Sequence, residues 1–182
     1  MYDLDAWIQF VSKYDKVYLM CHSLGCNKVV HYLQSKTPQN LAKLVLLAPQ
    51  DNVNFPNLPI HQEMLKEAKE NTLNGSADKL LTNKLFGFCV ISSKTFFDLM
   101  TNIKINNIPY KAAQGDLPAL QNIQCPTLAI IGSKEDEKAT EYMQKIANAL
   151  PHGKSAVIPN ANHMFKNQEK ALADTVISFL LA

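Results

Sequence analysis

Three groups in this chain could together perform acyl transfer: a serine in Cys21-His22-Ser23-Leu24-Gly25, an acidic pair in "IIGSKEDE" (Glu135 and Asp136), and a histidine in "VIPNANHMF" (His163). A serine hydroxyl attacks a carbonyl carbon only when a base takes its proton, and the base is a histidine oriented by a carboxylate. The serine stretch approaches G-x-S-x-G, the sharp strand-to-helix turn that exposes a nucleophile, with cysteine in place of the first glycine. Cysteine is small but not glycine, so the pentapeptide alone is a weak match, and a chance S-x-G at a βα turn competes with it.

The surrounding pattern supplies the elements that position these groups. "KVYLMC" (16–21) reads as a buried strand, and Cys26, Val29, Val30 and Leu33 fall at helical spacing, which predicts a helix over 24–35. Leu4, Trp7, Ile8 and Val11 predict an amphipathic helix over 4–13, with Asp3 as its cap. "AKLVLLAP" (42–49), "CPTLAIIG" (125–132) and "KSAVIPN" (154–160) read as further strands. Helices follow the last two, on Ala139, Tyr142, Met143, Ile146 and Leu150, then on Leu172, Val176, Phe179 and Leu180. Alternating strands and helices imply a parallel α/β sheet of about four strands. Ser23, the acidic pair and His163 each follow a strand, in the order serine, acid, histidine, so all three emerge at one sheet edge.

Between 50 and 124 the pattern changes. Pro56 and Pro59 break the chain, and Met64, Leu65 and Ala68 mark a short helix. Ser76 is read as the cap of a second helix carrying Leu80, Leu81 and Leu85, and Ser93 as the cap of a third carrying Phe96, Phe97 and Met100. Residues 106–109 and 115–118 read as loop.

The chain resembles the C-terminal part of an α/β-hydrolase. It is similar to capped serine esterases and lipases whose nucleophile region reads "HSLG-x-x-K-V-V-x-Y-L", and the matching stretches cover most of 16–50 and 120–182. The resemblance implies a partial α/β-hydrolase fold with a core of 1–50 and 120–182 and a helical cap insertion over 51–119. It implies Ser23 as nucleophile, His163 as base, and the backbone N–H of Leu24 as an oxyanion donor. Position three residues after the strand-ending glycine favours Glu135 as the acid; the commoner residue type favours Asp136, the preferred assignment here. Asp51, after the second strand, is a weaker third candidate, read otherwise as a loop residue. His22 is expected to pack beside the site. Cys21 is expected in the strand rather than as a nucleophile, because an active thiolate needs an exposed electropositive setting. The Phe96, Phe97 and Met100 cluster is read either as an acyl pocket or as the cap's own packing.

In the resembled family the nucleophile follows several earlier strands, one of which leads to a second oxyanion donor. Their absence before Ser23 predicts a bare sheet edge that pairs with a second copy or a complementing chain. The alternative to an active esterase-like enzyme is therefore a truncated homologue, inactive or weakly active until a partner completes it.

Composition narrows the rest. The 182 residues are 47% hydrophobic and 19% charged with a net charge of +2, which suits one globular domain and offers no basic stripe for nucleic acid. The longest apolar runs, near 44–49 and 128–131, are too short to span a bilayer, and the first residues do not read as a signal peptide. Four cysteines without a CxxC pair make zinc ligation an unfavoured reading and point to reduced thiols in the cytoplasm. No cofactor is implied.

Overall fold

The computed structural model describes residues 2–102, 108–111 and 117–182. Four strands form one wholly parallel sheet in the order β1 (Val17–His22), β2 (Leu41–Leu47), β3 (Thr127–Gly132), β4 (Gly153–Ile158). Sequential order arises because each crossover lays the next strand beside the last.

Strand alternation divides the core into two layers. Leu44, Leu46, Ala129 and Ile131 face a cluster with Cys26, Val29, Val30 and Leu33 of α2 (Leu24–Leu33) and with Met143 and Ile146 of α6 (Ala139–Ala149). The short α5 (Pro118–Gln121) joins that layer through Ala119 and Leu120. Val45, Leu47, Leu128 and Ile130 face the opposite way, toward Val176 and Phe179 of α7 (Glu169–Leu181). The Lys43 ammonium bonds the carbonyls of Phe179 and Leu180 at 2.8 and 3.2 Å, placing a cation at the carbonyl end of α7. On β1, Leu19 and Cys21 join the α2 layer, whereas Tyr18 and Met20 are exposed on the other face.

Helix α1 (Tyr2–Phe10) continues into a single 3₁₀ turn, Val11–Lys13, and packs Leu4 and Ile8 onto the core. It starts one residue before Asp3, which therefore lies in its first turn instead of capping it. Helix α3 runs Pro59–Leu73, longer than the short helix expected, with Pro59 at its first position where a missing N–H costs nothing. The helix expected after Ser76 does not form. Residues 80–92 fold back on themselves through antiparallel bridges Leu80–Ser92 and Leu85–Cys89, around Phe86 and Gly87 with φ of 57° and 78°. Left-handed backbone at two successive residues ends any helix, so the apolar spacing of Leu81 and Leu85 serves a turn. Helix α4 (Ser93–Thr101) is capped by Ser92, whose Oγ accepts from the Thr95 N–H; the cap lies one residue before the expected Ser93. Met64, Ala68, Leu81, Leu85, Phe96 and Met100 make a third, separate apolar cluster. Of the loops read at 106–109 and 115–118, residues 106, 107, 115 and 116 lie outside the described residues.

Candidate active site

Ser23 joins β1 to α2 with φ 54° and ψ −128°. A non-glycine residue rarely adopts positive φ, and here the turn is held by the Ser23 N–H bond to Leu47 O (2.9 Å) and the Cys26 N–H bond to Ser23 O (2.9 Å). The hydroxyl thus stands at the C-terminal edge of the sheet, over the first turn of α2. There the Leu24 N–H belongs to the set that has no intrahelical acceptor.

His163 reaches it from the loop after β4. Asn160, Phe165 and Asn167 all have φ between 53° and 63°, winding that loop tightly. Asn162 Oδ1 accepts from the N–H of Met164 and of Lys166, and the buried Phe165 roots the loop in the α7 layer. The turn after β3 is stitched to the same loop: Ser133 N–H bonds Ile158 O, Lys134 N–H bonds Ala161 O, and Ser133 Oγ accepts from Asn160 N–H. Gly132 lets the two backbones meet, since a Cβ there would lie 2.4 Å from Ala161 O.

The outcome is a continuous chain. Glu135 Oε2 lies 2.6 Å from His163 Nδ1, and His163 Nε2 lies 2.9 Å from Ser23 Oγ. The other carboxylate oxygen accepts from the Gly132 N–H at 3.2 Å. A carboxylate only accepts, so Nδ1 carries the proton and Nε2 is left to take one from Ser23. His22 donates from Nε2 to the His163 carbonyl at 2.8 Å, with ring centroids 4.8 Å apart, and steadies the loop from below.

The acid that meets His163 is Glu135, and the preference for Asp136 is corrected by the geometry. Asp136 turns away, bonding the Lys138 N–H at 2.9 Å and the Lys111 ammonium at 3.0 Å. Burial pushes its carboxyl up, but the Lys138 N–H and the Lys111 cation outweigh that and hold it below the usual carboxylate range. Residue type favoured Asp136; the longer reach of Glu135 and the turn at Gly132 decide otherwise. Among the described residues Asp51 makes no hydrogen bond to His163 either. It is buried and accepts from the backbone of Val53, Asn54 and Lys111 and from Asn54 Nδ2, organising the loop after β2.

Cys21 lies in β1 with its thiol toward Val45 O, and burial followed by the neighbouring Cys21 pushes the Cys26 thiol up, away from the reactive thiolate form. Phe96 and Met100 pack within the third cluster. A cleft of about 710 Å³ over Ser23 and His163 is walled instead by Phe55, Leu58, Phe86, Phe88 and Met164, with Gln50, Tyr110 and Lys111 among its polar members. Burial, then Asp51, raise the Tyr110 phenol well above its ordinary range, so it stays protonated. Spacing alone did not mark the aromatic wall because its residues come from turns. Gln50, however, lies three residues past the C-terminal end of β2, as Glu135 does past β3, at the sheet edge that also carries Ser23. Among the described residues no three His, Cys, Asp or Glu side chains are grouped to hold a metal ion, and no helix is long and apolar enough to cross a membrane.

The sequence profile of the serine hydrolase family matches residues 3–94, half of the chain. The chain belongs to the serine hydrolase family. No curated protein sequence matches it. Solved structures that share its fold include a putative non-heme bromoperoxidase from Mycobacterium tuberculosis (17% identity, TM-score 0.60, 99% of this chain and 72% of that one). An esterase from Exiguobacterium antarcticum (18%, 0.59, 99% and 72%) and a monoacylglycerol lipase from Paleococcus ferrophilus (16%, 0.60, 98% and 74%) are similar. At these identities the likeness establishes the α/β-hydrolase fold, which this serine hydrolase presents over somewhat less than three quarters of those chains.

Proposed function

We propose that this serine hydrolase cleaves a small ester or related acyl compound, with Ser23 as nucleophile, His163 as general base and acid, and Glu135 as its orienting carboxylate. The observation that carries the reading is the unbroken Glu135–His163–Ser23 hydrogen-bond chain at the mouth of an apolar cleft. As Ser23 Oγ bonds the acyl carbon, its proton passes to His163 Nε2 and the carbonyl electron pair moves onto oxygen. The Leu24 N–H, at the positive end of α2, stabilises that oxyanion. His163 then protonates the leaving alcohol as its bond to carbon breaks. A water, deprotonated by His163, hydrolyses the acyl-serine and restores the enzyme. Residues 51–119 act as the cap that shapes the acyl pocket. Four free thiols support a cytoplasmic setting for the same reading. Labelling by a fluorophosphonate and hydrolysis of p-nitrophenyl acetate, both lost in Ser23→Ala, are the expected results; a folded protein showing neither overturns the proposal.

A second reading is favoured by one observation. β1 lies at the end of the strand order, and Tyr18 and Met20 are 47% and 58% exposed on it. We infer that pairing along this edge, with a second copy or a complementing chain, raises an otherwise weak activity. Specific activity that climbs with concentration, in step with a larger sedimentation coefficient, is expected; a fully active monomer overturns it.

A further inference from the structure

Ser23 Oγ has one proton and, among the described residues, two side-chain hydrogen-bonding neighbours. His163 Nδ1 donates to Glu135, so Nε2 presents its lone pair and the hydroxyl proton points to it at 2.9 Å. No proton is left for the other neighbour, Gln50 Oε1, at 3.5 Å. The second end of the same amide is also mismatched: Gln50 Nε2 is buried and has no hydrogen-bond partner among the described residues. Amide oxygen and nitrogen have the same shape, and their placement follows from the bonds they make. A half turn of the amide takes the orphan donor out of its buried position and aims an N–H at Ser23, which can accept it.

We propose that Gln50 is a catalytic residue of this serine hydrolase, its side-chain NH₂ facing Ser23 and donating to the oxyanion formed on the acyl carbon. The inference rests on the assignment of Ser23 as nucleophile. Gln50 is well held for this task. Asn27, the fourth residue of α2, donates from Nδ2 to Gln50 O at 2.9 Å, which ties Gln50 to the helix end carrying the Leu24 N–H. The next residue, Asp51, is locked by four hydrogen bonds from Val53, Asn54 and Lys111. A donor fixed before reaction costs no reorganisation as charge develops. In the step itself, the Ser23 Oγ–carbon bond forms, the hydroxyl proton goes to His163, and the carbonyl pair becomes the oxyanion. That oxyanion accepts from Leu24 N–H and Gln50 Nε2–H. When the carbon–leaving-group bond breaks, the carbonyl re-forms and both bonds weaken.

The test compares the wild type with Gln50→Ala and the nearly isosteric Gln50→Glu, each checked for folding by its thermal melt, and uses Ser23→Ala as control. With p-nitrophenyl acetate, both Gln50 variants are expected to lose about 10²-fold in kcat with KM within about threefold. The inhibition constant of phenylboronic acid, whose serine adduct is tetrahedral, is expected to rise in parallel with the loss in kcat/KM. Should Gln50→Ala fail to fold, Gln50→Glu decides, because it keeps the volume and removes the donor. Wild-type kcat in a folded Gln50 variant, or a loss confined to KM, overturns the role of Gln50 while Ser23-dependent fluorophosphonate labelling leaves the nucleophile standing. A wild type that neither labels nor turns over overturns the nucleophile assignment and the Gln50 proposal together.

Discussion

Glu135 and Asp136 are adjacent in the chain, yet the first carboxylate lies 2.6 Å from His163 Nδ1 and the second 3.0 Å from the Lys111 ammonium. The proposed catalysis therefore separates them sharply. Glu135→Gln removes the charge that stabilises an imidazolium and lets the imidazole take the wrong tautomer, so kcat is expected to fall on the order of 10⁴-fold. Asp136→Asn is expected to keep kcat within about threefold, since it touches neither His163 nor Ser23. Steady-state kinetics on the pair checks this; equal losses would remove Glu135 from its role.

Asp136 has a different task, tying the β3 turn to Lys111. Its carboxyl is held below its ordinary range in the folded state, so the proton is bound more weakly there than in the unfolded chain. The stabilisation is fully present above the unfolded value of about 4 and is lost as pH falls through the lowered folded value. With the side chain 26% exposed, the ion pair is worth at most about 1 kcal/mol. Urea melts of wild type and Asp136→Asn are expected to differ at pH 7 and to converge as the pH is lowered toward 3. A gap that persists at acid pH would show that packing, not charge, sets it.

This contrast marks how far the sequence alone reaches. Strand-to-helix alternation placed Ser23, His163 and the acidic pair at one sheet edge because a parallel sheet delivers every βα turn to the same side. Choosing between neighbouring acids was beyond it, since that depends on how the turn after Gly132 meets the loop at Ala161, a contact between segments nearly 30 residues apart. The helix read after Ser76 failed for a related reason: Leu81 and Leu85 fit helical spacing, but Phe86 and Gly87 take left-handed backbone and turn the chain back. Gln50 and the aromatic wall lay outside any motif.

Gly132 is where this tertiary contact is tightest. A methyl there would meet Ala161 O at 2.4 Å and Asn162 O at 2.9 Å, all backbone, with no flexible side chain to yield. Gly132→Ala is expected to cost about 1–3 kcal/mol of stability. It is also expected to shift the loop carrying His163, and a displacement near 1 Å can cost about 10²-fold in rate. Chemical denaturation and kcat measured on the same sample check both. Unchanged kcat in a destabilised protein would mean that the loop holds its place without this fit.

His22 offers a milder perturbation of the same loop. His22→Phe keeps a ring beside His163 and Phe165 but removes the 2.8 Å bond to the His163 carbonyl. A net loss of about 1 kcal/mol for one such bond corresponds to about a fivefold fall in kcat if it is spent entirely on positioning the base. The same variant should leave KM nearly unchanged, because the lost bond points at the loop backbone and not into the cleft.

In the proposed reaction the acyl group lies against the cleft wall, which then sets the acyl length that fits. Phe55 is fixed by the His61 ring at 4.1 Å between centroids, with His61 Nδ1 donating to Phe55 O at 2.8 Å, and Phe86 packs against Phe55 at 5.5 Å. Burying one methylene against such a surface is worth up to about 0.8 kcal/mol, or about fourfold in kcat/KM. The wild type is therefore expected to prefer p-nitrophenyl butyrate over the acetate by up to about 15-fold across two methylenes. Phe86 is 54% exposed at the rim, so Phe86→Ala should erode that preference only in part, whereas Phe55→Ala, which also frees Phe86, should largely abolish it. If the butyrate-to-acetate ratio survives both substitutions, the acyl chain lies elsewhere, and the alcohol portion of the substrate occupies the aromatic wall.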